Sequence, residues 1–194
     1  GGGGCVLTNS EPLAKKIRHL SSTARISQNY DHDEVGYNYR ITNIQAAVGK
    51  AQLECFDQFL TRKRSILARY NMEFSKYADI AFPNDTQSLT SAWVSGIVLP
   101  SQEEFNAQQF KSYLLEHGVE ARSFWKPMHL QPVFSNCQFY GNSISSDLFD
   151  KGLCLPSSPV LEDDDIERVV NVISFVFSHF TYMFIIISST QYFK

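Results

Sequence analysis

An α/β fold with one long bridging helix and a small α+β domain is what this 194-residue sequence predicts. Three observations carry it. The first residues read as a short strand followed by a helix, an apolar repeat of helical period runs without proline from Ile44 to about Lys76, and a strand-helix-strand unit follows from Ala92. The length suits one domain or a domain and a half, enough for a real core.

The elements follow in order. Cys5-Val6-Leu7-Thr8 reads as a strand entered from Gly1-Gly2-Gly3-Gly4. That glycine run has no Met or signal segment before it and reads as cut from a longer protein, with a synthetic linker as the competing explanation. Asn9 or Ser10 caps a helix with Pro12 in its opening turn and Leu13, Ile17 and Leu20 on its buried side. Ser21 to Val35 is polar and irregular. Thr42 or Asn43 caps the next helix, whose apolar positions Ala47, Val48, Ala51, Phe56, Phe59, Leu60, Ile66, Leu67 and Tyr70 predict one continuous rod. Phe82 to Ser91, with Pro83, Asn84 and Asp85, is a turn-rich connection.

The second half predicts a strand over Ala92–Leu99, a helix over Glu103–His117 closed by Gly118, and a strand over Val119–Trp125. Lys126 to Pro132 is a loop stiffened by two prolines. Ser146–Lys151 is a short helix that Gly152 can end, and Leu153-Cys154-Leu155-Pro156 is a strand stopped by proline. A last helix starts at the acidic run Asp163-Asp164-Asp165, which suits a helix N-terminus, and is expected to end near Phe177. Val169 to Ile187 approaches the length of a bilayer crossing, but Asn, Ser, His and Thr interrupt it and no basic anchors flank it, so a membrane span is not expected.

The net charge of −3 and the lack of a basic cluster argue against nucleic acid as a partner. Cys5, Cys55, Cys137 and Cys154 are scattered without metal-site or redox spacing and suit a reducing cytoplasm. Asp31-His32-Asp33-Glu34 crowds four potential ligands, but adjacent residues in one turn do not easily converge on an ion, so a solvated acidic turn and no metal is expected.

Two segments carry candidate chemistry. In Gly36-Tyr37-Asn38-Tyr39-Arg40, glycine frees the backbone, the Asn38 amide offers two donors and Arg40 a rigid fork, which together suit an anionic group. The small residues Ala46, Ala47, Gly49 and Ala51 let another backbone approach the following helix. A tight helix start that binds nothing is the competing reading. Trp125-Lys126-Pro127-Met128-His129 offers an indole, an ammonium and an imidazole to a polar, ring-bearing substrate, or else is a packed loop with Trp125 in the core.

Together these segments, with the glycine-rich opening, Asn43-Ile44-Gln45-Ala46-Ala47 and Gly152-Leu153-Cys154-Leu155-Pro156-Ser157, resemble the sugar aminotransferases of the DegT/DnrJ/EryC1/StrS family over most of Gly1 to about Phe177. The resemblance implies the carboxy-terminal portion of a fold type I aminotransferase dependent on pyridoxal 5'-phosphate. Residues 1–43 would end the large cofactor-binding domain, 44–78 form the interdomain helix, 79–177 the small α+β domain, and 178–194 an apolar extension of unassigned origin. It implies a homodimer in which Asn38 reaches the neighbour's cofactor phosphate with Arg40 beside it. Trp125, Lys126, Met128 and His129 would face the substrate. The members it looks most like aminate UDP-linked 4-keto-6-deoxy-N-acetylhexosamines, with glutamate as donor, in polysaccharide biosynthesis.

One departure is plain. The family's Schiff-base lysine lies just upstream of the glycine-rich strand, and none of the lysines here matches it, so the chain is not expected to transaminate alone. A sugar dehydratase relative with histidine at that position, and a non-catalytic remnant or dimerisation partner, are the alternatives.

Overall fold

Ser10 starts the first helix as its residue type allows: its Oγ accepts from the Leu13 N–H at 3.4 Å, and Pro12 sits in the opening turn of α1 (Glu11–Ser21). The computed structural model describes residues 2–75, 77, 90–99 and 106–190, with side chains as far as Ser178. The turn expected over Phe82–Ser91 and the start of the helix expected at Glu103 lie mostly outside the described residues. Contacts divide the chain into two compact units, Gly1–Asp57 and Gln58–Lys194.

In the first unit the strand predicted over Cys5–Thr8 is not formed, because no described backbone pairs with it and a strand exists only through a partner. The expected buried stripe of α1 is also corrected: Leu13 is exposed and Ile17 and Leu20 are half-buried. Thr42 caps α2 (Asn43–Glu54) in a reciprocal box with Gln45, whose Oε1 accepts from the Thr42 N–H at 3.2 Å.

The predicted single rod from Ile44 to Lys76 is instead two helices, α2 and α3 (Phe56–Phe74), parted at Cys55. The apolar repeat itself slips there. Ala51 to Phe56 is a step of five residues, so no single stripe serves both halves.

In the second unit a three-stranded antiparallel sheet has β3 (Gly152–Leu155) between β1 (Ser95–Val98) and β2 (Arg122–Ser123). Ser95 faces Leu155, Val98 faces Gly152 and Arg122 faces Cys154. β1 is shorter than the predicted Ala92–Leu99 because Ala92 adopts φ +48°, which no strand accommodates. β2 keeps only two residues of the predicted Val119–Trp125. Gly118, at φ +72°, closes α4 (Ala107–Glu116), and Val119 N–H turns back to Leu114 C=O at 2.8 Å. α5 (Ile144–Lys151) runs straight into β3 through an extended Gly152. α6 (Asp163–Thr190) continues past the expected end at Phe177, with no glycine or proline to stop it.

The core lies where α3, α4 and α6 meet the sheet. Ile66, Tyr70 and Phe74 repeat every fourth residue on α3 and join Phe110 and Leu114 of α4, Ile166, Val170 and Ile173 of α6, and Ile97 and Leu153 of the strands. Tyr70 is fully buried and donates its hydroxyl to Pro156 C=O at 2.9 Å. Arg62 fixes the approach to α6 by donating from Nε and Nη2 to Leu161 C=O, at 3.2 and 2.5 Å, and from Nη1 to Asp163 at 2.8 Å. Lys63 bridges Trp93 and Ser157 carbonyls, each at 2.9 Å. Among the described residues no helix is long and apolar enough to cross a membrane.

Candidate functional site

The loop carrying Asn38 and Arg40 is built on a left-handed turn. At the end of α1, Thr23 and Ala24 take φ +65° and +51°, a region costly for residues with a Cβ. The turn is held by many bonds at once. Ala24 N–H donates to His19 C=O at 3.0 Å, Thr23 N–H to Tyr37 C=O at 3.1 Å, and Asp33 N–H to Ala24 C=O at 3.4 Å. His32 donates Nδ1–H to Thr23 C=O at 2.7 Å. Gly36 packs on this turn so closely that a Cβ would overlap Ala24 N and Thr23 C. Tyr37 and Tyr39 N–H groups then donate to Leu20 and Ser21 carbonyls at 2.8 and 3.0 Å, and the two rings stack with centroids 5.1 Å apart.

That scaffold places Asn38 and Arg40 on one open cleft of about 620 Å³, with Ser22, Thr23, Arg25 and Ser27. Arg25 is committed elsewhere: it donates to Ser27 and Gln28 carbonyls at 2.6 and 3.0 Å, and its guanidinium lies 4.2 Å over the Tyr30 ring. By contrast, the Asn38 amide and the Arg40 guanidinium have no hydrogen-bond or ion-pair partner among the described residues. A cleft with a free amide and a free guanidinium on a rigid loop is suited to an oxyanion. No lysine lines it.

The acidic segment separates by role. Asp31 accepts from Ser27 Oγ at 2.6 Å, while Asp33 and Glu34 meet His19 of α1 within 4.8 Å. So two residues of the segment do converge with a histidine from α1; Lys16 pairs with Glu34, and His19 Nε2–H donates to Asp33 at 2.6 Å, contacts that tie the loop to α1.

The second predicted segment is split by the structure. Trp125 is 64% exposed, which excludes the reading that puts it in the core; it lines an apolar cleft of about 440 Å³ with Leu67, Val94, Phe124 and Phe149. Trp93 stands beside it, ring centroids 5.6 Å apart. Lys126, Met128 and His129 do not line that cleft. Lys126 and Met128 are exposed, while half-buried His129 is held by Ser146 Oγ at 3.0 Å and stacks on Phe139 at 3.9 Å.

The sequence reading missed the Thr23–Ala24 turn, the Arg25 clamp and Trp93. Trp93 and Trp125 lie just outside β1 and β2 and far apart in the chain, so no local signal in the sequence pairs them.

One unit holds a capped small-residue helix after a loop suited to an anion, and the other a three-stranded α+β fold, elements found together in aminotransferases of one family. A profile of the DegT/DnrJ/EryC1/StrS aminotransferase family matches residues 1–174, and the chain belongs to that family. EpsN of Bacillus subtilis strain 168, provisionally named a pyridoxal phosphate-dependent aminotransferase, is 35% identical over 182 residues, covering 91% of this chain and 46% of EpsN. The GDP-perosamine synthase of Vibrio cholerae is 31% identical over 180 residues, covering 92% of this chain and 49% of the synthase. The chain thus spans about half the length of these curated relatives. Among solved structures, Helicobacter pylori PseC, an aminotransferase of pseudoaminic acid biosynthesis, superposes with a TM-score of 0.77 at 16% identity, over 89% of this chain and 48% of PseC. That likeness shows the fold, the fold type I aminotransferase architecture. The family's aminotransferases use pyridoxal 5'-phosphate. The residues here fit one end of it: Asn38 and Arg40 suit its phosphate, while the cleft offers no lysine for its aldehyde.

Proposed function

We propose that this chain supplies the phosphate-holding loop and part of the substrate side of a nucleotide-sugar aminotransferase. The amino group passes from glutamate to a nucleotide-linked 4-keto-6-deoxy sugar, in a cytoplasmic homodimer. One observation carries the reading: Asn38 and Arg40 share a polar cleft and neither side chain is engaged by the described protein. When bound, pyridoxal 5'-phosphate supplies the electron sink for amino transfer. This chain's part is to bind and orient. Asn38 donates amide hydrogens and Arg40 a bidentate fork to the phosphate oxygens, of the neighbouring subunit's cofactor in the homodimer. Trp125 offers a flat face to a ring of the substrate, and Lys126, Met128 and His129 form the adjoining loop. Without a lysine matching the family's Schiff-base position, the chain alone binds but does not turn over.

The test is calorimetry with 4-deoxypyridoxine 5'-phosphate, which has no aldehyde to react with surface lysines, against unphosphorylated 4-deoxypyridoxine. The phosphate form is expected to bind more tightly, and Arg40→Ala to remove most of that preference, about tenfold or more for a lost charged hydrogen-bond pair. Equal affinities for the two compounds would end the phosphate reading. Glutamate consumption dependent on a nucleotide-linked ketosugar by the chain alone would show that the inactivity reading is wrong.

A further inference from the structure

Trp93 is carried by a strained backbone. Ala92, just before it, is buried and takes φ +48°, a left-handed conformation costly for a residue with a Cβ. Several bonds impose it. Ala92 N–H donates to Thr90 Oγ1 at 3.1 Å, and Arg64 of α3 donates from Nε to Thr90 C=O at 2.9 Å. Trp93 C=O then accepts from Lys63 Nζ at 2.9 Å and from Ser157 Oγ at 3.5 Å, and Lys63 reaches on to Ser157 C=O. All of these residues belong to the second unit, Gln58–Lys194.

So firm a hold would suit a residue of the core, yet neither tryptophan belongs to the second unit's hydrophobic core. The held segment delivers the Trp93 ring to the Trp125 ring instead, with centroids 5.6 Å apart and planes tilted by 34°. Ala92 and Val94, on either side of Trp93, line the apolar cleft together with Trp125, whereas Trp93 itself does not. Its contact is with the indole that does. A tryptophan side chain turns about two torsions, and a second ring packed against it removes part of that freedom before any ligand arrives.

The cleft also limits what Trp125 can meet. No charged side chain lines it, and Thr90 and Ser145 supply its only hydroxyls among the described residues. Such a surface suits an uncharged ring laid against an indole and does not suit a phosphate.

We propose that Trp93 is a positioning residue for substrate recognition: held by the left-handed Ala92, it fixes the Trp125 ring where that ring meets an uncharged ring of the nucleotide sugar. The inference rests on the reading that Trp125 lies on the substrate side, and adds the residue that orients it. The ring comes from the nucleobase or from the sugar, and both present a flat uncharged face to an indole.

Trp93 and Trp125 are the only tryptophans of the chain, so its indole signals report this pair alone. The wild-type chain is expected to show a far-ultraviolet exciton couplet in circular dichroism, the signature of two indoles in contact, which Trp93→Phe and Trp125→Phe each remove. Tryptophan emission then follows titration with UDP-N-acetylglucosamine and GDP-mannose, and with uridine, guanosine and N-acetylglucosamine separately. Trp93→Leu, which keeps the position apolar without a flat ring, is expected to weaken binding of the nucleotide sugar about three- to tenfold. Trp93→Phe, which keeps a ring against Trp125, should restore most of that loss. Amide exchange at Ile97 and Leu153 should stay as in the wild type, since a role confined to stability would move exchange and leave affinity alone. A response to the nucleosides assigns the ring to the base, and a response to N-acetylglucosamine assigns it to the sugar. Absence of the couplet in the wild-type chain overturns the positioning role, as does equal affinity in wild type and Trp93→Leu, and either leaves Trp125 on the substrate side. If none of the five compounds changes the wild-type emission, the substrate-side reading of Trp125 fails and this inference fails with it.

Discussion

Gly36 rests directly on the backbone of Ala24. No side chain fits between them, since a Cβ on Gly36 would meet the Ala24 nitrogen and the Thr23 carbonyl carbon, and stand 2.9 Å from the Ala24 methyl. Ala24 is itself held at φ +51° and fully buried. The contact sets where the chain turns toward Asn38 and Arg40, so the value of this glycine is close approach and not an unusual φ of its own.

Gly36→Ala is therefore expected to push the two segments apart at an estimated cost of about 2–3 kcal/mol, in the range of overpacked sites. The Thr23 and Tyr37 amides, which bond across that contact, should exchange about tenfold faster or more, while the amides of Ile97 and Leu153 in the second unit stay as they are. Unchanged exchange at Thr23 and Tyr37 would mean that the loop is positioned by its hydrogen bonds alone.

Local signals were legible in the sequence and non-local ones were not. The caps, read as Asn9 or Ser10 and Thr42 or Asn43, the Gly118 stop and the Asp163 start act within a turn of themselves, so residue type and spacing place them to within a residue; the structure selects Ser10 and Thr42 and adds the Gln45 half of the box. Asn38 and Arg40 were readable as anion-binding types for the same reason, but their freedom from partners was not. The strand expected at Cys5–Thr8 has the right residues and lacks a neighbour, which composition cannot reveal. The left-handed Thr23–Ala24 turn defeats a reading by type altogether, because neither residue favours that conformation and hydrogen bonds from residues farther along the chain, with the close approach of Gly36, impose it. Trp93 and Trp125 meet only through the sheet, and His129 leaves the tryptophan because Ser146 and Phe139, from later in the chain, hold it.

Tyr70 makes a pH prediction with a definite sign. Burial raises its phenol pKa well above the usual value near 10, because the phenolate would lose its water. In the unfolded chain the phenol ionises from about pH 10 upward, while the folded chain keeps its proton. The unfolded state then binds fewer protons than the folded one, so this contribution is fully present below pH 10 and stability falls as pH rises beyond it. Lys63, whose pKa burial lowers, contributes with the opposite slope in the neighbouring range, so a single melt series does not separate them. The difference between the wild-type chain and Tyr70→Phe does. The variant should lose about 1–2 kcal/mol at pH 7, for the hydroxyl bond to Pro156 C=O and the acceptor left unpaired, and this deficit should shrink in melts above pH 10. A deficit that stays constant from pH 8 to 11 would rule out a buried, proton-retaining Tyr70.

Phe124 lies across two strands at once, and the two glycines beneath it differ in what else they touch. A Cβ on Gly96 of β1 would meet only the Phe124 ring tightly, at 2.8 and 2.9 Å, with the Leu153 carbonyl at an ordinary 3.8 Å. A Cβ on Gly152 of β3 would overlap both that ring and the Leu148 carbonyl oxygen of α5. The ring is a side chain and can be replaced, whereas the carbonyl belongs to the helix that feeds the strand. Gly96→Ala and Gly152→Ala are each expected to destabilise the second unit by about 1–3 kcal/mol, as overpacking does. Adding Phe124→Leu should restore most of the loss relative to Phe124→Leu alone for Gly96→Ala and little of it for Gly152→Ala, a coupling that a double-mutant cycle of thermal or denaturant melts reads directly. Equal rescue of both would show that α5 yields at Leu148, and that the Phe124 ring alone limits what fits over Gly96 and Gly152 beside the Trp125 cleft.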